Sequence, residues 1–371
     1  MQQFCIVPKI VQIDTAAEFC KIYEIGAGDL LLMSGRMYVQ HFKGLTGEAK
    51  VIDYRKYGSG EPTDQMVEGI YKDIRGITYQ RVIAIGGGTI LDVAKLFALK
   101  NISPVVDLYD HKIEIKKEKE LLLVPTTCGT GSEVTNISIL ELTAKNTKMG
   151  LADPALYADT AVLIPELVKD LPFRFFATSS IDALIHSIES FTSPKANDFT
   201  RLFSLKAMTM ILNVYKEIVE KGPDILKDVI KEVLTASTFA GIAFGNAGCA
   251  AVHAMSYPLG AACHVPHGEA NYVMFTAVYK TYMALRPEGS IQILNRHLAD
   301  ILDCSQEEVY DRLEILLGQL IVKKPMRAYG VSQEDLDAYT ETVMTKQGRL
   351  MANNYTELDA ETVRKIYASL W

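Results

Sequence analysis

Short apolar runs alternate with helical patterns in the first half of the chain. Three of these runs are continuous rather than alternating with polar residues, as expected for parallel strands buried on both faces: Leu30–Met33, Arg81–Ile85 and Glu120–Val124. Between them, residues 64–74 and 90–100 carry apolar side chains at helical spacing. This rhythm of strand, helix and strand predicts an α/β dinucleotide-binding domain with a Rossmann-like parallel sheet, which we place at residues 1–168.

The pattern changes beyond Pro165, where helical periodicity dominates and β-branched runs become rare. Two prolines, Pro165 and Pro172, bracket a short segment that is typical of a domain boundary. We therefore predict an all-α domain that spans residues 169–371. Six segments in it have the spacing of helices: 202–221, 225–244, 272–285, 306–321, 335–349 and 360–371.

Composition narrows the class of protein. The 371 residues are 49% hydrophobic and 22% charged, as in soluble globular proteins. The net charge of -7 argues against a nucleic-acid partner. Gly, Pro or charged residues interrupt every apolar stretch well before the roughly 18 residues of a membrane span. The chain start lacks a signal-peptide pattern, and six scattered cysteines without CxxC spacing predict a reduced, cytoplasmic protein.

A glycine turn follows the second apolar run. Gly86-Gly87-Gly88-Thr89 comes directly after the strand candidate, and a helical pattern starts at Ile90. This geometry directs free backbone N–H groups at a phosphate. The Rossmann fingerprint is incomplete, because Leu91 stands where the third glycine is expected. Taken alone, the turn is therefore also compatible with a purely structural role.

A second polar loop follows the third apolar run. Residues 125–135 contain five hydroxyl side chains and two glycines. Hydroxyls and exposed N–H groups at the carboxyl end of a strand suit a nucleotide. The alternative is a polar loop that caps a helix beginning near Gly131. Two such loops after two strands favour the nucleotide interpretation more than either loop alone.

Four residues of the second domain have the chemistry of a metal site. Asp182 and His186 are four apart, so they share one face of a helix. His253 and His267 follow in a stretch rich in Gly, Ala and Pro. One carboxylate and three imidazoles suit Fe(II) or Zn(II), with room for a substrate oxygen. A single histidine is more often structural than a ligand, so the prediction rests on the whole set.

Four segments, in this order, resemble the iron-containing (group III) alcohol dehydrogenases: 86–95, 125–135, 182–186 and 253–268. The resemblance covers nearly the whole chain and implies an alcohol dehydrogenase that uses Fe(II), with Zn as an alternative, and NAD. It implies metal ligands at Asp182, His186, His253 and His267. It implies cofactor contacts at Gly87, Gly88, Thr89, Asp92, Thr126, Thr127, Thr130 and Lys148.

The resemblance also implies a substrate class. Residues 124–136, 243–248 and 264–272 favour oxidation of the primary alcohol 4-hydroxybutyrate to succinate semialdehyde, and the reverse. A short-chain alcohol or a diol is the alternative. A homodimer or higher homo-oligomer is expected, with neither nucleic acid nor membrane as partner.

Two positions depart from the pattern of the family. Many members have a second histidine where this chain has Tyr257, so Tyr257 or a water chain becomes the candidate proton relay, with His264 as a weaker one. Members that prefer NAD often carry an aspartate just after the first strand. Here that stretch reads Met33-Ser34-Gly35-Arg36, in which no carboxylate would repel a 2′-phosphate. NAD is expected, and NADP stays open.

Two other functions compete with this prediction. A lyase of the dehydroquinate synthase type would share the architecture, NAD and metal, but it is expected to use Glu where Asp182 stands. A catalytically silent metal- or nucleotide-binding module is disfavoured because the ligand set is complete and both phosphate loops are present. Net reduction of the nicotinamide would separate the dehydrogenase from both.

Overall fold

The computed structural model describes residues 3–58, 60–145 and 147–371. It contains two compact units, Ile6–Leu171 and Pro172–Trp371, and the N-terminal stretch that ends at Cys5 belongs with the second. The predicted domain 1–168 differs from the first unit at both of its ends. At the start the reason is packing, because the Phe4 ring stacks on Phe199 at a centroid distance of 5.3 Å.

The first unit is built on a six-stranded sheet in which every neighbouring pair is parallel, in the order β1-β8-β5-β4-β2-β3. This confirms the predicted fold class. An antiparallel pair, β6 with β7, was not predicted. The strands are β1 Lys9–Gln12, β2 Asp29–Met33, β3 Lys50–Asp53, β4 Arg81–Gly86, β5 Glu120–Pro125, β6 Ile137–Leu142, β7 Thr147–Ala152 and β8 Thr160–Leu163.

Successive residues of the central strands enter two separate cores, one on each face of the sheet. In β2, Leu30 and Leu32 join one core, while Leu31 and Met33 join the other. This alternation follows from the pleat of a strand. The α-helices among the described residues of the same unit are α1 Ala16–Ile22, α2 Gly35–Met37, α3 Asp64–Ile74, α4 Gly88–Phe97 and α5 Val105–Tyr109.

The second unit is helical among its described residues, as predicted. Two of its helices, α9 and α11, were not predicted. Taken singly, no helix of the described chain is long and apolar enough to cross a membrane, although one pair bent by 105° passes on length and composition. The helices are α6 Phe173–Thr192, α7 Asp198–Lys221, α8 Leu226–Ala247, α9 Ala251–Cys263, α10 His267–Leu285, α11 Ser290–Leu302, α12 Val309–Leu320, α13 Asp335–Lys346, α14 Gly348–Met351 and α15 Ala360–Leu370.

Helix α6 lies in the interior of this unit, with 16 of its 20 residues buried. Some of its buried hydroxyl groups bond carbonyls within the helix, and others are paired across helices. The Tyr215 hydroxyl donates to Ser180 at 2.7 Å, and the hydroxyls of Thr192 and Tyr279 lie 2.9 Å apart. Buried polar groups need such partners. The same helix can therefore carry a carboxylate and an imidazole into the interior.

Candidate metal centre and nucleotide-binding loops

The four predicted metal ligands converge in the helical unit. Asp182 and His186 lie one turn apart on α6, His253 lies in the first turn of α9, and His267 is the first residue of α10. One donor atom from each residue lies within 4.8 Å of all the others. The side chains of the first three are almost fully buried, whereas that of His267 is 31% exposed.

The spacing of the donor atoms fits a single cation. Nε2 of His253 lies 3.0 Å from Nε2 of His186 and 3.7 Å from Oδ1 of Asp182. Nε2 of His267 lies 3.7 Å from the same Oδ1. Ligands at about 2.1 Å from a tetrahedral metal are about 3.4 Å from one another, which falls within this range. The donor set and its spacing therefore suit a divalent metal.

The charges of the cluster favour a bound cation. Burial raises the pKa of Asp182, but the three imidazoles outweigh it and hold the pKa well below its ordinary value. Burial also opposes charge on His253, yet Cys249, Glu189 and Asp182 raise the pKa of the imidazole well above its ordinary value. A carboxylate that stays ionised in a buried site attracts a cation.

Glu189 is a part of the centre that the sequence-based prediction missed. This carboxylate, 0% exposed, accepts hydrogen bonds from the backbone N–H groups of Ala250 at 3.0 Å and Val252 at 2.7 Å. Its Oε2 also lies 2.5 Å from Nδ1 of His253. It thereby caps α9 and orients the ring so that Nε2 faces the other donors. Such carboxylate partners orient metal-binding histidines in many proteins.

Asn271 and Gly268 bring α10 to the cluster. Nδ2 of Asn271 donates to Oδ1 of Asp182 at 2.7 Å and lies 3.1 Å from Nε2 of His267. A Cβ at Gly268 would lie 2.2 Å from the carbonyl oxygen of Thr178. Only glycine therefore lets the start of α10 approach α6 this closely. Neither residue was predicted from the sequence.

In the first unit, the two polar loops lie against each other because they follow the adjacent strands β4 and β5. Gly87 caps α4, and Gly88 is the first residue of the helix, two residues before the predicted start. A Cβ at Gly88 would lie 2.6 Å from Cγ2 of Thr130, and one at Gly87 would lie 3.4 Å from Cγ2 of Thr127. The N–H groups that begin α4 and the threonine hydroxyls are thus neighbours, as a phosphate site requires.

The remaining predicted cofactor residues have partners of their own. Thr126 stays half-buried, and its N–H donates to Gly86 at 2.9 Å. The Thr89 hydroxyl donates to the carbonyl of Gly60 at 3.0 Å, and Nζ of Lys148 lies 3.4 Å from Oε1 of Glu61. These contacts do not test whether the three residues bind a cofactor, so their cofactor roles stay predictions.

Asp92 is bound inside the unit. Its carboxylate accepts from Nζ of the fully buried Lys95 at 3.1 Å, from the Ser132 hydroxyl and from the N–H of Ile139 at 3.0 Å. Both carboxylate oxygens are thereby used. Asp92 thereby holds the threonine loop and β6 on α4, and its predicted contact with the cofactor stays a prediction.

The two candidate proton relays differ in position. Tyr257 is half-buried on α9, one turn after His253, and its ring centroid lies 5.9 Å from that of His267. His264 is exposed and ends α9 with a left-handed φ of 52°. Tyr257 therefore lies beside the cluster, whereas His264 lies at the surface, at the C-terminal end of α9.

Comparison with known proteins identifies the family. Residues 13–165 match the model of iron-containing alcohol dehydrogenases, and residues 176–371 match the C-terminal model of the same family. The chain belongs to the iron-containing alcohol dehydrogenases. This confirms the family predicted from the sequence. It also makes the chain an oxidoreductase that acts on alcohols.

Individual relatives of this alcohol dehydrogenase support the same family assignment. It is 46% identical to 4-hydroxybutyrate dehydrogenase of Clostridium kluyveri over 371 residues, which is 100% of both chains. It is 32% identical to long-chain-alcohol dehydrogenase 1 of Geobacillus thermodenitrificans over 78% of this chain and 74% of the relative. The alcohol dehydrogenase from Oenococcus oeni has the same fold, with a TM-score of 0.86 at 19% identity and 100% of both chains covered.

Proposed function

We propose that this enzyme is an NAD-dependent dehydrogenase that interconverts 4-hydroxybutyrate and succinate semialdehyde. The observation that carries the proposal is the four-donor cluster of Asp182, His186, His253 and His267 in a member of an iron-containing family. The substrate follows from the relative that is 46% identical along its entire length and has this activity in its name.

The metal ligands we propose are the same four residues, and Fe(II) is the metal that the family name implies. A bound divalent cation polarises an alcohol oxygen as a Lewis acid. Only one of the four ligands carries a negative charge when the imidazoles are neutral. A divalent cation held by these four ligands would be only partly neutralised by them, which would favour a substrate oxygen that loses its proton. Glu189 and Asn271 keep the donors oriented for this task.

The nucleotide site we propose lies at the first turn of α4. The backbone N–H groups of Gly88 and Thr89 are free of earlier helical partners and can donate to a pyrophosphate. Thr127 and Thr130 lie against the same turn and offer hydroxyls. The nicotinamide supplies the hydride chemistry, and the protein supplies position.

Proton release is the third element of the proposal. Tyr257 belongs to the helix that carries His253, and its ring lies beside that of the partly exposed His267. It is our first candidate to pass the alcohol proton toward solvent. The exposed His264 is the second. We further infer a cytoplasmic homo-oligomer that acts on small molecules. The six free thiols support a reducing compartment, and the net charge of -7 argues against nucleic acid as a partner.

The test is a spectrophotometric assay of the purified enzyme under anaerobic conditions, with and without added Fe(II). 4-Hydroxybutyrate is compared with 1-butanol, which has the same carbon chain and no carboxylate. We expect NAD to be reduced with 4-hydroxybutyrate, faster with Fe(II), and much more slowly with 1-butanol. Failure to reduce either NAD or NADP with 4-hydroxybutyrate under every condition would overturn the substrate assignment.

A further inference from the structure

We propose that Asp53 is the residue that recognises the adenosine ribose of the nicotinamide cofactor, so that the enzyme binds NAD and rejects NADP. This inference rests on the dinucleotide site proposed above. It assigns to β3 a role that the sequence pattern places at the end of β2. All of the residues involved belong to the first unit.

In doubly wound sheets, the phosphates bind where one strand ends, and an acidic residue at the end of the neighbouring strand bonds the ribose hydroxyls. An arginine there accommodates the 2′-phosphate of NADP instead. Here the phosphate turn follows β4, which lies between β5 and β2 in the sheet. The strand that would carry the acidic residue is β2. The residues after β2 are Ser34, Gly35 and Arg36. The end of β2 therefore has no carboxylate that would distinguish NAD from NADP.

The structure supplies the missing carboxylate from the adjacent strand. β3 pairs with β2 in parallel, and Asp53, the last residue of β3, lies opposite Met33, the last residue of β2. A Cβ at Gly35 would lie 2.7 Å from Oδ2 of Asp53 and 3.3 Å from its Cγ. The Asp53 carboxylate therefore occupies the space that a side chain at position 35 would fill. Glycine at position 35 is what makes room for it.

This carboxylate is oriented and can still accept. Oδ1 accepts the N–H of Arg55 at 3.2 Å and caps the short turn Tyr54–Lys56. Within the described part of the chain, Oδ2 accepts no hydrogen bond. A carboxylate held by one oxygen can use the other for a ribose hydroxyl, and hydrogen bonds to an ionised acceptor are the strong ones.

The surroundings of Asp53 contain both signs of charge. Asp53 lines a cavity of about 320 Å³ together with Lys50, Lys56 and Asp73, whose carboxylate accepts a hydrogen bond from the Tyr57 hydroxyl at 2.6 Å. Arg36, next to Gly35, is exposed, and its Nε donates to Gln40 at 3.1 Å. If Asp53 bonds the ribose hydroxyls, a 2′-phosphate on that ribose would lie against its negative charge. Rejection of the wrong cofactor by one repulsive group is a common basis of specificity.

The direct test is binding of NADH and NADPH to the Fe(II)-loaded enzyme without alcohol, followed by nicotinamide fluorescence. For Asp53→Ser we expect the Kd of NADH to rise about tenfold and that of NADPH to fall about tenfold, from the loss of charged hydrogen bonds and of repulsion. Asp107→Ser is the matched control, because it removes a carboxylate of the same unit whose partner among the described residues is the exposed Lys112. It should leave both constants unchanged.

Moving the carboxylate to the neighbouring strand distinguishes this role from general damage to the fold. The double variant Gly35→Asp with Asp53→Gly places a carboxylate at the end of β2 instead of β3, and it should restore the preference for NADH. An NADH-to-NADPH affinity ratio in Asp53→Ser equal to that of the wild type would overturn the inference while the dinucleotide site stands. A wild-type enzyme that binds neither cofactor would overturn the proposed dinucleotide site itself.

Discussion

The metal cluster and the nucleotide loops are built on different principles. The cluster consists of side chains from three helices, and its orientation depends on buried partners such as Glu189 and Asn271. The loops consist of backbone groups and hydroxyls from two turns, and their geometry depends on how closely glycines let the chain approach Thr130. Loss of a hydrogen-bonding group at Glu189 should disturb the cluster, and an added methyl group at Gly88 should disturb the loops. Substitutions should therefore damage metal binding and cofactor binding separately.

The largest effect is expected from His267→Ala, which removes one of four donors. The metal content should fall to a small fraction of one ion per chain. Turnover should fall by about 1,000-fold or more, since Lewis-acid stabilisation contributes several kcal/mol. Elemental analysis and the Kd of NADH are the measurements, and that Kd should be unchanged. His264→Ala, three residues away and exposed, should keep its metal. Full metal content in His267→Ala would contradict the ligand set.

The next effect in size is expected from Glu189→Gln. The amide cannot accept from Ala250, Val252 and His253 at once, so the imidazole loses its fixed orientation. Metal affinity should fall by about 10- to 100-fold. Competition with a metal chelator measures it. Glu269→Gln is the control, because Glu269 is also a buried carboxylate but bonds Arg174 and Tyr329. Equal losses in the two variants would show that Glu189 has no specific role in the centre.

A smaller effect, confined to the other unit, is expected from Gly88→Ala. The new methyl group would lie 2.6 Å from Cγ2 of Thr130, so the two loops must separate. Overpacking of this kind costs about 1–3 kcal/mol of stability. If part of that cost falls on the bound geometry of the loops, the Kd of NADH should rise by about tenfold. The metal content should stay the same. Gly76→Ala, whose Cβ would meet no atom within 4 Å, should bind NADH like the wild type. A matching loss there would contradict the argument from packing.

The smallest effect is expected from Tyr257→Phe, which removes only a hydroxyl. Water can replace a relay in part, so kcat for oxidation should fall by no more than about tenfold. KM should change little, and the loss should shrink as the pH rises, because proton release then becomes easier. A pH profile of kcat measures this. An unchanged kcat at every pH would assign the relay to water or His264.

Much of this architecture can be predicted from local sequence. Asp182 and His186 are recognisable because four-residue spacing on a helix sets both on one face. Glu189 continues the same stripe three residues later and could have been found with it. The helix α9 was missed because Gly260 and the internal Pro258 are poor helix signals, although tertiary packing outweighs them.

Relations between distant segments could not be predicted. That Gly268 must be glycine depends on the carbonyl of Thr178 on another helix. The role of Asp53 depends on the register between β2 and β3, which the sequence of either strand alone does not fix. The antiparallel pair β6 and β7 was missed for a similar reason, since its strands are half-buried against other elements rather than continuous apolar runs.

The central claim is that hydride passes from the alcohol carbon of 4-hydroxybutyrate to NAD. The most direct measurement uses 4-hydroxybutyrate that carries deuterium at C4, with the Fe(II)-loaded enzyme, and analyses the cofactor by mass spectrometry. The account predicts NADH with one deuterium per molecule and succinate semialdehyde in equal amount. Turnover of the substrate with unlabelled cofactor, or with no net reduction of NAD, would contradict it.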